Sequence, residues 1–246
     1  MYWVLAAANT QHISADRILE QIAEETMLRT LAEKVDPRHA AVIVVDVQND
    51  FCAPEGGLAQ LGVDMSMIDA CVPRIERLVA AARAAGVRVI HIRSHHHAGV
   101  ESPAYMELRL RRSPDRPRWC EPGTWGAEFY QVLPEDGELV VSKHRYSGFI
   151  GTDLDLILRS LEIKSLIMVG VASNNCVEAT ARDGFMHDYY VVFVDDCTAA
   201  TSAEIHRATL WNMENLYGVV VQSDEVIAAW EALAAERGAR EIERAR

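Results

Sequence analysis

The sequence lacks the features of a disulfide-rich, nucleic-acid-binding or membrane-spanning protein. Cysteine is scarce, with five in 246 residues at irregular spacings and no CxxC pair. This pattern excludes a disulfide framework or zinc ribbon and indicates a reducing compartment. Acidic residues outnumber basic ones by 36 to 24, which disfavours a nucleic-acid partner. No apolar run reaches membrane-span length, and none resembles a signal peptide. We therefore expect a cytoplasmic protein with no nucleic-acid or membrane partner.

Motifs of common cofactors and of serine hydrolases are also missing. There is no G-x-G-x-x-G after the first predicted strand, no P-loop and no G-x-S-x-G. Three adjacent histidines, His95, His96 and His97, are the one hint of a metal site. Successive residues at a strand end point in different directions, so at most two of them could share an ion. We expect neither a metal nor a cofactor.

What the sequence does contain is an alternation of apolar and helical segments. Six short apolar runs predict strands at 40–46, 87–93, 138–142, 166–169, 189–195 and 218–222. Continuous apolar runs of this length are typical of parallel strands buried on both faces. Helical patterns at 70–85, 153–161, 176–185, 202–216 and 223–235 separate most of them. The sequence predicts an α/β fold, a doubly wound six-stranded parallel sheet with helices on both faces.

The chain divides into three predicted parts. Residues 1–38 form an N-terminal helical extension, 39–236 form the main domain, and 237–246 form a charged C-terminal tail. Within the extension, an apolar stripe predicts a helix over 14–35 with Ser14 as its N-cap. That stripe could cover the protein's own sheet or pack on a neighbouring subunit. The long segment 94–137 is expected to contain helical pieces and to shape a binding site.

Three predicted strands end in residues that can carry chemistry. Asp46 follows the first strand, Lys143 the third and Cys176 the fourth. Functional residues of parallel sheets gather at the carboxyl ends of strands. A cysteine in the first turn of a helix meets unpaired backbone N–H groups and the positive end of the helix dipole, which favour the thiolate. Taken singly, each residue has a common structural role: buried core, turn cap or surface charge.

Together, the three residues predict covalent catalysis by a thiol. Asp46 would take the proton of the Cys176 thiol and return it to a leaving amine. Lys143 would keep Asp46 ionised and favour the thiolate through its charge. The backbone N–H groups of Ala172 and Cys176 would face the oxyanion of a tetrahedral intermediate.

Three motifs in this order resemble the isochorismatase-like cysteine hydrolases. They are VVDVQNDF around Asp46, KHRYSGF beginning at Lys143, and GVASNNCVEATARDGF around Cys176, and the resemblance covers about residues 40–222. It implies an Asp–Lys–Cys triad at these positions and a cis peptide between Val171 and Ala172. Members of this family are commonly dimers or tetramers, so the resemblance also implies a homo-oligomer.

Within the family, KHRYSGF, TDLDLILRS and CVEATARDGF look like the ureidoacrylate amidohydrolases of pyrimidine breakdown. This resemblance implies hydrolysis of a C–N bond in a small linear ureido or carbamoyl compound, through an acyl-enzyme on Cys176. Ser94 and His96 stand where that group has Asn and Trp, and DFCAPEGG looks more like carbamoylsarcosine or biuret hydrolases. The Asp-x-His metal element of nicotinamidases is missing from GGLAQLGVDMS, and isochorismatases proper need no thiol.

The remaining predictions concern the substrate and the alternatives. Residues expected to contact the substrate are Gln48, Ser94, His96, Trp125, Tyr146 and Asn175. Arg93 and Arg145 could bind a substrate carboxylate or be solvated. One alternative is the same chemistry on another small amide, such as carbamoylsarcosine or biuret. A second is a non-catalytic binding protein on the same fold, against which the retention of all three triad residues argues.

Overall fold

A computed structural model describes residues 26–112 and 118–244, together with Arg17 and Glu24. Its strands form a six-stranded parallel sheet in the order β3-β2-β1-β4-β5-β6. They are β1 (Ala40–Val45), β2 (Arg88–Ser94), β3 (Leu139–Lys143), β4 (Ser165–Val171), β5 (Tyr190–Ala199) and β6 (Val219–Val221). The order reverses between β1 and β4, which confirms the predicted doubly wound topology.

Helices follow the strands along the chain. The α-helices are α1 (Leu31–Lys34), α2 (Asn49–Cys52), α3 (Ser66–Ala85), α4 (Pro103–Arg112), α5 (Leu154–Ser160), α6 (Glu178–Met186), α7 (Ala203–Asn212) and α8 (Ser223–Arg244). Short 3₁₀ turns lie at Ala59–Leu61 and Trp125–Ala127, and π turns at Ser173–Val177 and Met213–Tyr217. No helix in the described part of the chain is long and apolar enough to cross a membrane.

The sheet is covered on both faces, which explains why its strands are apolar without alternation. On β1, Val42 and Val44 belong to a core shared with α3 and α8, and Ile43 and Val45 to a core shared with α5 and α6. Every residue of β1 is buried. Because both sets of side chains leave water, the strand reads as a continuous hydrophobic run.

Several element boundaries differ from the predictions. The loop predicted after β1 contains α2 and the Ala59–Leu61 turn, and the helix predicted at 70–85 begins at Ser66. The last helix was predicted to end near residue 235 but continues through Arg244. Its final turns are rich in Ala, Glu and Arg, which are strong helix formers, so their charge does not end the helix.

The predicted helix over 14–35 is interrupted where it is described. Residues 27–30 are not helical, and Thr30 caps the short helix α1. A capping box causes the break, because the Thr30 side chain accepts from the Glu33 N–H while Glu33 bonds back to the Thr30 N–H. The Trp230 indole donates to the carbonyl of Val35 at 2.8 Å and ties this segment to α8. Residues 14–16, 18–23 and 25 of the predicted helix, Ser14 among them, lie outside the described residues.

An irregularity between β4 and β5 shapes the carboxyl edge of the sheet. Met168 pairs with Phe193, but Gly170 pairs with Thr198, so two steps along β4 match five along β5. The three extra residues bulge out of β5. Gly170 itself has φ +121, and a Cβ there would lie 2.1 Å from the carbonyl oxygen of Val45. Only glycine fits this close approach of two backbones.

Candidate active site

The carboxyl edge of the sheet brings Asp46, Lys143 and Cys176 into contact. The Lys143 Nζ lies 2.7 Å from Asp46 Oδ2 and donates to Cys176 Sγ at 3.3 Å. All three residues are buried, with Cys176 the most accessible at 7%. Lys143 comes from β3, two strands away from β1, so its long side chain spans the end of β2. The three residues predicted at separate strand ends therefore form one cluster.

Ser94 occupies the end of β2, between the acid and the amine. Its hydroxyl donates to Asp46 Oδ1 at 3.1 Å and accepts from Lys143 Nζ at 2.8 Å. The Lys143 ammonium also donates to the carbonyl of Arg145 at 3.1 Å. Ser94 was predicted to contact substrate, and it does border the cavity. Because its hydroxyl already bonds both charged groups, its main contacts are with Asp46 and Lys143.

The backbone at Asp46 is held in an unusual conformation. Its φ is +53, in the left-handed region that non-glycine residues rarely adopt. Its N–H donates to the carbonyl of Ile92 at 2.8 Å, so the neighbouring strand β2 fixes this residue just beyond β1. Such conformations cost about 1–3 kcal/mol and cluster at functional sites. Here the left-handed conformation of Asp46 directs its carboxylate toward the Lys143 ammonium.

The electrostatics differ from the prediction of a thiolate stabilised by a helix. Burial raises the pKa of the Cys176 thiol to about 12, and the Asp46 charge adds to this while Lys143 opposes it. Burial alone would lower the pKa of Lys143, but Asp46 and Cys176 raise it well above its usual value. The resting cluster thus holds an ammonium and a protonated thiol, because a second buried anion beside Asp46 is unfavourable. Cys176 also lies in a π turn ahead of α6, not in the first turn of a regular α-helix.

The turn that carries Cys176 begins at an unusual peptide bond. The bond between Val171 and Ala172 is cis, at the position that the resemblance indicated. The Ala172 carbonyl accepts from the N–H groups of Asn175 and Val177 at 3.0 and 3.2 Å, which closes the turn. Ala172, Asn175 and Cys176 all border the cavity beside the cluster. The backbone predicted to bind an oxyanion therefore lies next to the thiol.

A cavity of about 550 Å³ opens onto this cluster. Its apolar wall is made by Phe51, Leu58, Leu61, Val63, Leu108 and Trp119. Its polar wall carries charge and aromatic hydroxyls from His96, Glu101, Tyr105, Arg109, Arg118, Arg145 and Tyr146. The cavity thus combines the reactive cluster with apolar residues and with polar residues that are rich in arginine. This is the usual composition of a small-molecule site.

Four of the predicted substrate residues line this cavity: Ser94, His96, Tyr146 and Asn175. The His96 ring stacks on Tyr105 with 5.3 Å between centroids, and its Nε2 lies 3.3 Å from the Tyr105 hydroxyl. Burial, followed by the nearby Lys143 charge, lowers the pKa of His96 to about 4. His96 is therefore neutral at pH 7 and offers the cavity a polar but uncharged surface.

Two predicted substrate residues do not border the cavity. The Gln48 amide donates to the carbonyls of Ser94 and Ala127 and accepts from the Ser94 N–H, so both its nitrogen and its oxygen are hydrogen-bonded within the protein. Its role is to hold the end of β2 against the segment before Phe129. Trp125 is half exposed in a short 3₁₀ turn away from the cavity. Trp119 lines the cavity instead, because the segment between them folds back over α2.

Sequence reasoning missed an ion cluster on the polar wall. The Glu101 side chain is 1% exposed and bonds Arg118 through both of its oxygens at 3.1 and 3.2 Å. Arg109 lies 3.9 Å from the same carboxylate. Burial would raise the pKa of Glu101, but Arg118 lowers it, so Glu101 is ionised. The only signal in the sequence was the length and charge of segment 94–137, because the partners are up to 17 residues apart.

Of the other candidates, Arg145 lines the cavity, whereas Arg93, His95 and His97 do not. His144 Nδ1 bonds the carbonyl of His95 at 2.6 Å, and the rings of His97 and His144 meet edge to face. Arg93 bonds the Ser142 hydroxyl at 3.0 Å. Among residues 26–112 and 118–244, no group of three or more His, Cys, Asp or Glu side chains is arranged to hold a metal ion.

The fold and the site define an α/β protein with a buried aspartate, lysine and cysteine at the carboxyl edge of its sheet. The family model described as the isochorismatase domain matches residues 40–225. The chain belongs to the isochorismatase family, which confirms the resemblance seen in its motifs. A similar solved structure is a cysteine hydrolase from Pseudomonas syringae pv. phaseolicola, with TM-score 0.72 and 31% identity over 81% of this chain and 95% of that one.

Relatives of known name are similar over most of the chain. A ureidoacrylate amidohydrolase RutB from Methylobacterium radiotolerans is 38% identical over 80% of both chains. The RutB of Acinetobacter baylyi is 33% identical over 89% of this chain and 91% of its own. The N-carbamoylsarcosine amidase of Thermoplasma acidophilum matches in structure with TM-score 0.61 and 28% identity, over 76% of this chain and 97% of that one.

Proposed function

We propose that this protein hydrolyses a C–N bond in a small linear ureido or carbamoyl compound, with ureidoacrylate as the leading candidate and Cys176 as the nucleophile. The contact of one buried ammonium, Lys143, with both the Asp46 carboxylate and the Cys176 thiol carries the proposal. The chain is a hydrolase of carbon–nitrogen bonds other than peptide bonds, as its family and its amidohydrolase relatives support. A role in pyrimidine degradation in the cytoplasm is part of this proposal, as the resemblance of the motifs implies.

The first step forms a bond between sulfur and carbon. Asp46 accepts the proton of the Cys176 thiol as the sulfur attacks the substrate carbonyl carbon. The thiol pKa of about 12 in the free site means that the proton leaves in concert with attack, not beforehand. As the carbonyl oxygen gains negative charge, the N–H groups of Ala172 and Cys176 stabilise it. The Lys143 ammonium contacts both the Asp46 carboxylate and the Cys176 sulfur, so its positive charge stabilises negative charge on either group during the reaction.

The second step breaks the C–N bond and the third releases the product. Asp46 returns the proton to the departing amine or ammonia, which leaves an acyl group on Cys176. Water, deprotonated by Asp46, then attacks the thioester carbonyl, and the sulfur leaves as a thiol. With a ureido substrate the acyl group is a carbamoyl group, so the released acid is carbamate. Atoms and protons balance without a metal or an external oxidant.

A bulkier amide of the same class is the second candidate, and the cavity favours it. At about 550 Å³ the cavity lies within the range of sites for drug-sized ligands, whereas ureidoacrylate has nine non-hydrogen atoms. The apolar wall around Trp119 and Leu58 would contact a hydrophobic substituent, and the arginines would meet a carboxylate. Carbamoylsarcosine and biuret are smaller candidate substrates of the same class. A non-catalytic binding role is the outcome if none is turned over.

A panel assay tests the proposal. The purified protein is incubated with ureidoacrylate, carbamoylsarcosine, biuret and an N-carbamoyl amino acid with a large apolar side chain, and ammonia release is measured. We expect turnover of at least one ureido or carbamoyl compound, and loss of that turnover by more than 10³-fold in Cys176→Ala. Cys197→Ala, which removes another buried thiol, is the matched control and should retain activity. Inactivity on every compound would contradict the proposed function.

A further inference from the structure

A second buried network lies behind the turn that carries Cys176. The Ser173 hydroxyl is 2.9 Å from His206 Nδ1, and His206 Nε2 is 2.8 Å from Asp195 Oδ1. The other Asp195 oxygen accepts from the Gln222 amide at 2.8 Å. Ser173 comes from the π turn, Asp195 from the bulge in β5, and His206 from α7. We call Ser173, His206 and Asp195 the serine–histidine–aspartate relay.

The relay has the residue types and the bonding order of a serine-hydrolase triad, but it cannot act as one. A nucleophile has to touch the substrate. Ser173 is 0% exposed and does not border the cavity, whereas its neighbours Ala172 and Asn174 do. The relay therefore acts on the reaction through the backbone that Ser173 belongs to.

That backbone is the turn proposed to bind the oxyanion. Ser173 directly follows Ala172 and precedes Cys176 by three residues, so it lies between the two proposed N–H donors. Its hydroxyl is the point at which α7 and the β5 bulge are bonded to the turn. We propose that the relay is a positioning device, which keeps the N–H groups of Ala172 and Cys176 directed at the cavity. This role rests on the proposed amide hydrolysis.

Donor and acceptor chemistry fixes the direction of the hydrogen bond between His206 and Asp195. An ionised carboxylate only accepts, so His206 Nε2 carries a proton toward Asp195. The other ring nitrogen, Nδ1, is hydrogen-bonded to the Ser173 hydroxyl, which fixes the hydroxyl rotor and the start of the turn. Loss of any member leaves a buried polar group without its partner, and the turn relaxes to find another. A small displacement of oxyanion donors is costly, because removal of one donor lowers kcat by about 10²–10³.

Variants of Ser173 and His206 test this role on whichever amide the wild type hydrolyses. We expect Ser173→Ala and His206→Gln each to lower kcat about 10- to 100-fold with KM changed less than about threefold. Ser173→Thr keeps the hydroxyl and should stay within about threefold of wild type. The double variant with Ser173→Ala and His206→Gln should have a kcat no lower than that of the less active single variant, because the two residues act as a unit. His91→Gln is the matched control, since His91 is also buried and bonded to a carboxylate, Glu138, elsewhere on the sheet.

Alkylation of Cys176 by iodoacetamide supplies a second readout, followed by mass spectrometry of the peptide. Alkylation forms no oxyanion, so in Ser173→Ala its rate should stay within about threefold of wild type while kcat falls. Parallel loss of both rates would overturn the proposal, because the nucleophile rather than the turn would then be disturbed. Wild-type kcat in Ser173→Ala, a loss in Ser173→Thr as large as in Ser173→Ala, or an equal loss in His91→Gln would also overturn it. A wild type inactive on every amide overturns the proposed function itself, and this role with it.

Discussion

Replacement of Lys143 by Met tests the buried cluster most directly. The substitution keeps the length of the side chain and removes the ammonium that lies 2.7 Å from Asp46, with both side chains 1% exposed. Removal of one partner of a buried ion pair costs about 3–5 kcal/mol, because the other charge is left uncompensated. Domains of this kind have about 5–15 kcal/mol of stability, so the loss is a large fraction of the total.

The assay is urea unfolding at pH 7, followed by fluorescence. With an m-value of about 2–3 kcal/mol/M, the expected loss shifts the midpoint downward by about 1–2 M. Lys164→Met is the control, since Lys164 is exposed and its loss should change stability by no more than about 0.5 kcal/mol. Amide hydrolysis should fall by about 10²- to 10⁴-fold, because the ammonium that contacts both the Asp46 carboxylate and the Cys176 sulfur is lost.

A second variant separates charge from packing. In Asp46→Asn combined with Lys143→Met, no buried charge remains without a partner. The double variant should therefore be more stable than Lys143→Met by at least about 1 kcal/mol, although it is inactive. The reasoning is refuted if Lys143→Met unfolds at the wild-type midpoint, or if the double variant is less stable than the single one.

Three further predictions follow from the same structure. Ser94→Ala should lower kcat about tenfold with little change in KM, because its hydroxyl bonds both Asp46 and Lys143; a change confined to KM would instead indicate substrate binding. Burial raises the pKa of all five thiols in the folded chain, whereas the thiols of the unfolded chain ionise near pH 8.5. The free energy of unfolding should therefore fall as pH rises above about 8.5, by about 1.4 kcal/mol per pH unit for each thiol. Cys71→Ala should reduce that slope by about one thiol's share, measured by urea unfolding between pH 8 and 10, and an unchanged slope would contradict this account. We also expect a dimer or tetramer, which the exposed apolar side chains Leu156, Met186 and Trp211 favour; a monomeric mass by light scattering at micromolar concentration would rule it out.

Local sequence signals predicted those parts of the site that depend on one strand and its end. Asp46 and Lys143 could be found because they directly follow or close an apolar run, and Cys176 because it opens a helical pattern one short turn after such a run. Trp125, predicted to contact the substrate, does not line the cavity, and Trp119 was missed, because no local pattern says which way a long irregular segment folds back. Gln48 was also predicted to contact the substrate, but its amide bonds Ser94 and Ala127.

The sequence by itself determined that the fold is a parallel sheet with helices on both faces, and at which edge of this sheet the candidate catalytic residues lie. Both can be read from the sequence because apolar runs and strand ends are local properties of the chain. The tertiary structure decided what depends on several elements at once. Burial and the neighbouring Asp46 raise the pKa of the Cys176 thiol, whereas a helix N-terminus alone would favour the thiolate. The relay joins Ser173 to His206, 33 residues further along the chain, and His206 to Asp195 in a bulge of β5 that only strand pairing reveals. Desolvation and long-range contact have no signature in a single stretch of sequence, because both arise only when distant segments pack together.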